Sequence, residues 1–144
     1  MKKFALMAAG AALCALAPTV AMAQSSTISG SVDVQKGSGP ALTCNATVTL
    51  NGPTPATSTQ VTGFTLTGGF LGLCASVQFP NTPHTVTQGG GSFVVNDLYA
   101  DTTFTPGDCA GDLAGTLSGG VVTVNAVLPE VTGGGDCTVV GSLS

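Results

Sequence analysis

Residues 42–50 alternate without a break: Leu42, Cys44, Ala46, Val48 and Leu50 fall on one side of an extended chain, Thr43, Asn45, Thr47 and Thr49 on the other. Successive side chains of a strand point to opposite faces, so this period of two writes a strand with one buried and one wet face. The pattern recurs. Ile28, Val32 and Val34 share a face around Gly30, Phe64 and Leu66 mark a further half-buried strand, and the odd positions Leu71, Leu73, Ala75, Val77 and Phe79 take up an apolar face. Further strands are expected over residues 92–100, 113–117, 121–128 and 137–143. Gly, Pro and Asn punctuate them at residues 37–40, 51–53, 118–120 and 132–135, residues 54–60 read as a polar loop, and the Pro- and Gly-rich stretch 80–91 reads as a hinge between two halves. Strands about every 8–12 residues, with no helix of useful length among them, give an all-β fold, an antiparallel β-sandwich or a barrel-like domain.

The amino terminus has a different grammar. Lys2 and Lys3 precede an apolar run over residues 4–16, Pro18 ends it, and Ala21 and Ala23 set small side chains where a signal peptidase needs them. About 13 apolar residues are too few for a bilayer span, which takes roughly 20. Residues 1–23 therefore read as a helical signal peptide cleaved after Ala23, leaving one secreted domain over residues 24–144, extracellular or periplasmic. Cys14 is not preceded by the small residue of a lipoprotein signal, since Leu13 stands there. It leaves with the leader.

Beyond the leader, one strong base, Lys36, faces seven acids (Asp33, Asp97, Asp101, Asp108, Asp112, Glu130, Asp136), a net charge of −6. Phosphate backbones and anionic lipid surfaces repel such a chain, so nucleic acid is excluded as a partner and no stable membrane insertion is expected. Solubility rests on Thr, Ser, Asn and Gly, and a surface of that kind can adsorb at interfaces or self-associate.

Four cysteines remain, Cys44, Cys74, Cys109 and Cys137, and an even number in an exported chain reads as two disulfides. The chain has two similar halves, about 41–80 and 106–144: a Cys at the first strand, a second strand (61–66 or 121–127), a Cys at the third. The separations, 30 and 28 positions, favour Cys44–Cys74 and Cys109–Cys137 among the three connectivities. Each loop closed would contribute about 3–4 kcal/mol on the chain-entropy model. Cys74 lies on the opposite parity from Leu73 and Ala75, which a bulge would reconcile.

Residues equipped for catalysis are few. The part beyond the leader has no Arg and a single His, His84, which follows Thr82-Pro83 in what reads as an exposed turn. No enzyme is expected, and no cofactor. Neither a C-x-x-C pair nor a His cluster offers a zinc site. Asp97, Asp101, Asp108 and Asp112 are the candidates for calcium, though turn-forming aspartates are the favoured reading. Phe64, Phe79, Phe93 and Tyr99, with Phe70 and Phe104, are candidates for apolar contact, against the alternative that they simply fill the core. Residues 26–34 can be an ordinary first strand or one offered to a neighbouring copy.

Several short runs resemble the activator of alkane oxidation family, the PraB-like secreted proteins of Gram-negative bacteria: Leu42-Thr43-Cys44-Asn45-Ala46-Thr47-Val48, Gly63-Phe64, Leu73-Cys74-Ala75-Ser76-Val77, Asn125-Ala126-Val127-Leu128-Pro129, and the closing Asp136-Cys137-Thr138-Val139-Val140-Gly141-Ser142-Leu143. Phe79-Pro80-Asn81 stands where that family's pattern has a Trp. The resemblance implies a non-enzymatic protein that helps cells use or contact hydrocarbons at the cell surface or the oil–water boundary. Its partner would be an apolar surface or hydrocarbon. The alternative is a structural subunit of a pilus, fibre or biofilm matrix, joined to copies of itself by strand addition.

Overall fold

The computed structural model describes residues 25–51, 59–103 and 105–144, so the leader, most of the expected loop at 54–60 and Phe104 lie outside it. Among the described residues, nine strands follow one another: β1 (Ser25–Lys36), β2 (Leu42–Asn51), β3 (Gln60–Thr67), β4 (Val77–Gln78), β5 (His84–Gly89), β6 (Ser92–Thr102), β7 (Cys109–Ser118), β8 (Val121–Leu128) and β9 (Cys137–Leu143). Eight of them close into an antiparallel barrel in the order β6-β5-β3-β2-β1-β9-β8-β7, with β7 returning to β6. The two-residue β4 pairs only onto β6. Of sandwich and barrel, the barrel is therefore the architecture.

Alternation explains closure, because a barrel of eight strands has an interior that inward side chains just fill. Val32 and Val34 of β1, Cys44, Ala46 and Val48 of β2, Val124, Ala126 and Leu128 of β8, and Val139 and Leu143 of β9 form that interior. Their outward neighbours are mostly Thr, Ser and Asn. Two bulges change the parity, one between Thr49 and Leu50 and one between Val95 and Leu98. In β6, Phe93 and Val95 face inward before the second bulge; Leu98 and Ala100 do so after it. At that bulge Asp97 takes a left-handed φ of 52°, and its N–H donates to Asp112 Oδ1 at 3.0 Å. Inward Phe93 lies opposite Gly115 of β7, where a Cβ would press on the ring.

Three expectations need correction. The apolar run 71–79 is not a strand. A 3-10 segment, Phe70–Ser76, holds Leu71 and Gly72 in left-handed conformations and leads into β4. Cys74 is buried because the chain coils there, and no bulge is needed to turn it inward. Nor is the 80–91 stretch a hinge, since His84–Gly89 is β5, built into the wall between β3 and β6. The halves consequently agree in a Cys-bearing strand and the hairpin that follows, β2–β3 and β7–β8, but differ in the third element. Residues 26–34 are paired throughout with β2, and from Gly30 onward also with β9, Ser29 exchanging two further bonds with Ser144.

The barrel wall is uneven. β1 pairs with β2 from Ser25↔Asn51 through Val34↔Leu42, whereas β3 meets β5 only at Gln60↔Thr85 and Val61↔His84. From Phe64 to Thr67 the side of β3 turned away from β2 has no strand partner among the described residues. Side chains close this seam, with the rings of Phe64 and Phe79 4.2 Å apart at 53°.

Candidate apolar contact site

The seam leaves a groove of about 430 Å³ between β3 and β4, lined by Phe64, Leu66, Ala75, Val77, Phe79 and Pro80 together with the polar edges of both strands. That volume lies in the range of small-ligand clefts. The barrel interior, by contrast, retains a space of only about 50 Å³, walled by residues such as Val48, Val86, Phe93 and Leu143. A dry cavity needs about 150 Å³ to take a benzene ring, so the packed interior has no room for a hydrocarbon.

Beside the groove the 3-10 segment projects Phe70 and Leu71, 72 % and 84 % exposed. Local geometry makes this tip. Gly68 and Gly69 turn the chain with φ of 81° and 74°, and a Cβ at Gly69 would overlap Cys74 Sγ. Cys74 donates its N–H to Gly68 O at 3.2 Å and is joined to Cys44 of β2, with a Cα–Cα distance of 5.7 Å. The base of the tip is thereby stapled to the barrel. Alternation hid this element, since Leu71 to Phe79 mimic a strand; the consecutive Gly68-Gly69 and Gly72 were the available signal.

The other expected contact residues divide. Phe64 and Phe79 come together at the groove; Phe93 is core, and Tyr99 lies on β6 at the end of the barrel where β7 begins. There its hydroxyl donates to Asp108 Oδ2, which raises the phenol pKa; burial and the charges of Asp108 and Asp101 add to the effect. The same bond, a second from Thr102 N–H at 3.2 Å and the charge of Lys36 hold the Asp108 carboxyl below its ordinary range. The aspartates are thus brought together across strands, Asp97 with Asp112 and Asp101 near Tyr99 and Asp108. Among the described residues no three His, Cys, Asp or Glu lie together as a metal-holding group.

His84 is not in an exposed turn. It opens β5 facing inward, 5 % exposed, and its Nε2 has no hydrogen-bond partner among the described residues. Sequence alone hid this because β5 is only six residues long and flanked by Pro83 and Gly90.

The second disulfide, Cys109–Cys137, joins the starts of β7 and β9, Cα–Cα 6.0 Å, and Lys36 lies over it: Nζ is 3.3 Å from Cys109 Sγ and donates to Gly135 O at 3.2 Å. The adjoining loop is tied down by Glu130 and Asp136, Gly135 N–H donating to Glu130 Oε2 at 2.6 Å and Glu130 N–H to Asp136 Oδ1 at 3.0 Å. Along the sequence the charges are unevenly spread. From residue 37 to residue 96, which includes the groove, the tip and strands β2 to β5, no Asp, Glu, Lys or Arg occurs.

A family model described as "Alkane oxidation protein activator PraA/PraB-like" matches residues 1–144, the whole chain. No curated protein and no solved structure matches it.

Proposed function

Since the chain belongs to the alkane oxidation protein activator PraA/PraB-like family, we propose that it assists growth on hydrocarbons without catalysing a reaction, by contacting hydrocarbon outside the cytoplasm. The observation that carries this reading is the groove between β3 and β4, lined by Phe64, Leu66, Val77 and Phe79 and with no ionisable side chain in its own lining. Contact with an apolar phase costs the desolvation of whatever charges enter it, and the lining of the groove brings none. The two disulfides suit an oxidising compartment, in keeping with export by the leader. Among the described residues no helix is long and apolar enough to cross a membrane. The outer face rich in Thr and Ser, around an apolar interior, is the reverse of what a lipid-embedded barrel presents.

Deleting the chain should slow growth on a liquid n-alkane and leave growth on a soluble carboxylic acid unchanged. Re-expression should restore it, whereas Phe79→Asp, which puts a charge on the groove floor, should not. Restoration by Phe79→Asp at normal protein levels would refute the role given to the groove. Intact mass of the protein recovered outside the cytoplasm tests export, the expected species lacking residues 1–23.

A further inference from the structure

We propose that the Phe70–Leu71 tip is the anchor by which this protein enters the surface of a liquid hydrocarbon, an inference that rests on the hydrocarbon reading above. Among the described residues these are the two most exposed of the large hydrophobic side chains. Leu71 also sits at φ 55°, ψ 23°, a left-handed conformation that a branched residue rarely adopts. A bulky apolar side chain is thus held in water and in an unfavourable backbone region at once, and strain of this kind concentrates where a segment has a task.

The tip is convex and firm. Its base is fixed by the Cys44–Cys74 disulfide, by Gly72 N–H donating to Gly69 O at 3.3 Å, and by Ser76 Oγ donating to Leu73 O at 2.6 Å. A Cβ on Gly72 would meet nothing within 4 Å, so the apex stands clear of the barrel. Little conformational freedom remains to be lost when such a wedge inserts. A protrusion of two apolar side chains, with no charge near it in sequence, suits a fluid that closes around it. The net charge of −6 beyond the leader sets the choice of fluid, since an anionic lipid surface repels the protein and a neutral hydrocarbon does not.

The test uses the exported protein at a hanging n-hexadecane drop, with interfacial tension read against protein concentration. Fully burying a Phe or a Leu is worth roughly tenfold or more each, so Phe70→Ser with Leu71→Ser should need about 100-fold more protein for the same fall in tension. Its melting temperature should be unchanged, both side chains being outside the core. Val127→Ser with Val140→Ser, exposed valines on the outer face of β8 and β9, should behave as wild type. Equal adsorption by the tip variant, or an equal loss in the valine variant, overturns the anchor while leaving the hydrocarbon reading intact. A wild type that leaves the tension unchanged overturns both. Two further results count against the proposal: tip-dependent binding to phosphatidylglycerol vesicles, which would make the partner a lipid, and a sedimenting oligomer dispersed by the tip variant, which would make it a second copy.

Discussion

The wall made of β1, β2, β9 and β8 and the wall made of β3, β4 and β5 are built from the same kinds of residue but are held in different ways. In the first, β1, β2 and β9 are laddered to both neighbours over most of their length, and β8 to β9 over nearly all and to β7 over half of its own. In the second, two residue pairs join β3 to β5 and an aromatic contact closes the rest. His84, whose Nε2 has no hydrogen-bond partner among the described residues, the groove and the Phe70–Leu71 tip all belong to the weaker wall. Backbone pairing supplies rigidity to one side. The other side gives up part of that pairing and thereby keeps apolar side chains at the surface, which a complete ladder would have sealed.

The contrast can be broken at the core. Leu128 ends β8 fully buried, so Leu128→Ala should cost about 2–5 kcal/mol in urea unfolding. Phe79→Ala, at a half-buried site in the seam, should cost clearly less. Equal losses would mean that the two walls bear stability alike.

The disulfides sharpen it. Their separations, 30 and 28, differ little, so chain entropy assigns each about 3–4 kcal/mol. Their native contexts differ. Replacing Cys109 and Cys137 by Ser should loosen β7 to β9 throughout, seen as lost amide-exchange protection in all three strands. Replacing Cys44 and Cys74 should confine that loss to the 3-10 segment and β4 and weaken adsorption to hexadecane. Protection lost in β9 on removing Cys44–Cys74 would contradict the division.

A smaller effect is expected at His84. His84→Ala leaves a hole in the wall and should cost about 2 kcal/mol, whereas His84→Leu fills it and removes an unpaired polar atom, so its cost should stay below about 1 kcal/mol. Growth on alkane should survive His84→Leu. Its loss in a stable variant would point to chemistry at the imidazole.

The smallest expected change concerns pH. The Asp108 carboxyl is held low by its bond from Tyr99 and so contributes stability above the ordinary carboxylate range, lost as pH falls through the lowered value. Tyr99→Phe should move the Asp108 titration upward and start acid unfolding at a higher pH, measured by carboxyl chemical shifts and by melts below about pH 4. The raised Tyr99 phenol works in the opposite sense, its contribution fading as pH rises through that higher value.

Much of the barrel was legible because half-buried strands carry period two: the alternation of β2 and the extents of β8 and β9 read directly from the residues. Where the period breaks, sequence misled. The bulge between Val95 and Leu98 switches inward positions from odd to even, and Asp97 gave no sign of it without its partner Asp112, fifteen residues away. The run from Leu71 to Phe79 has the right period for a strand and the wrong backbone, set by positive φ at Leu71 and Gly72. The groove was half visible, Phe64 and Phe79 being expected contacts, but Val77 and Pro80 join them only because β4 attaches to β6. His84 was misread because burial in β5 depends on pairing with Val61 across more than twenty intervening residues.

Lys36, seated over the Cys109–Cys137 bridge, has a consequence for resistance to proteolysis. Beyond Lys3 it is the sole basic cleavage point, so a protease of trypsin-like specificity has one peptide bond to attack there, Lys36–Gly37. That bond lies at the end of the β1–β9 ladder. Lys36 is opposite Cys137, Gly37 N–H donates to Asp136 O at 2.8 Å, and the ammonium such an enzyme must draw into its pocket is engaged by Gly135 O. Such a protease has to wait for the strand to detach, and digestion then reports the opening of the barrel rather than the abundance of the enzyme.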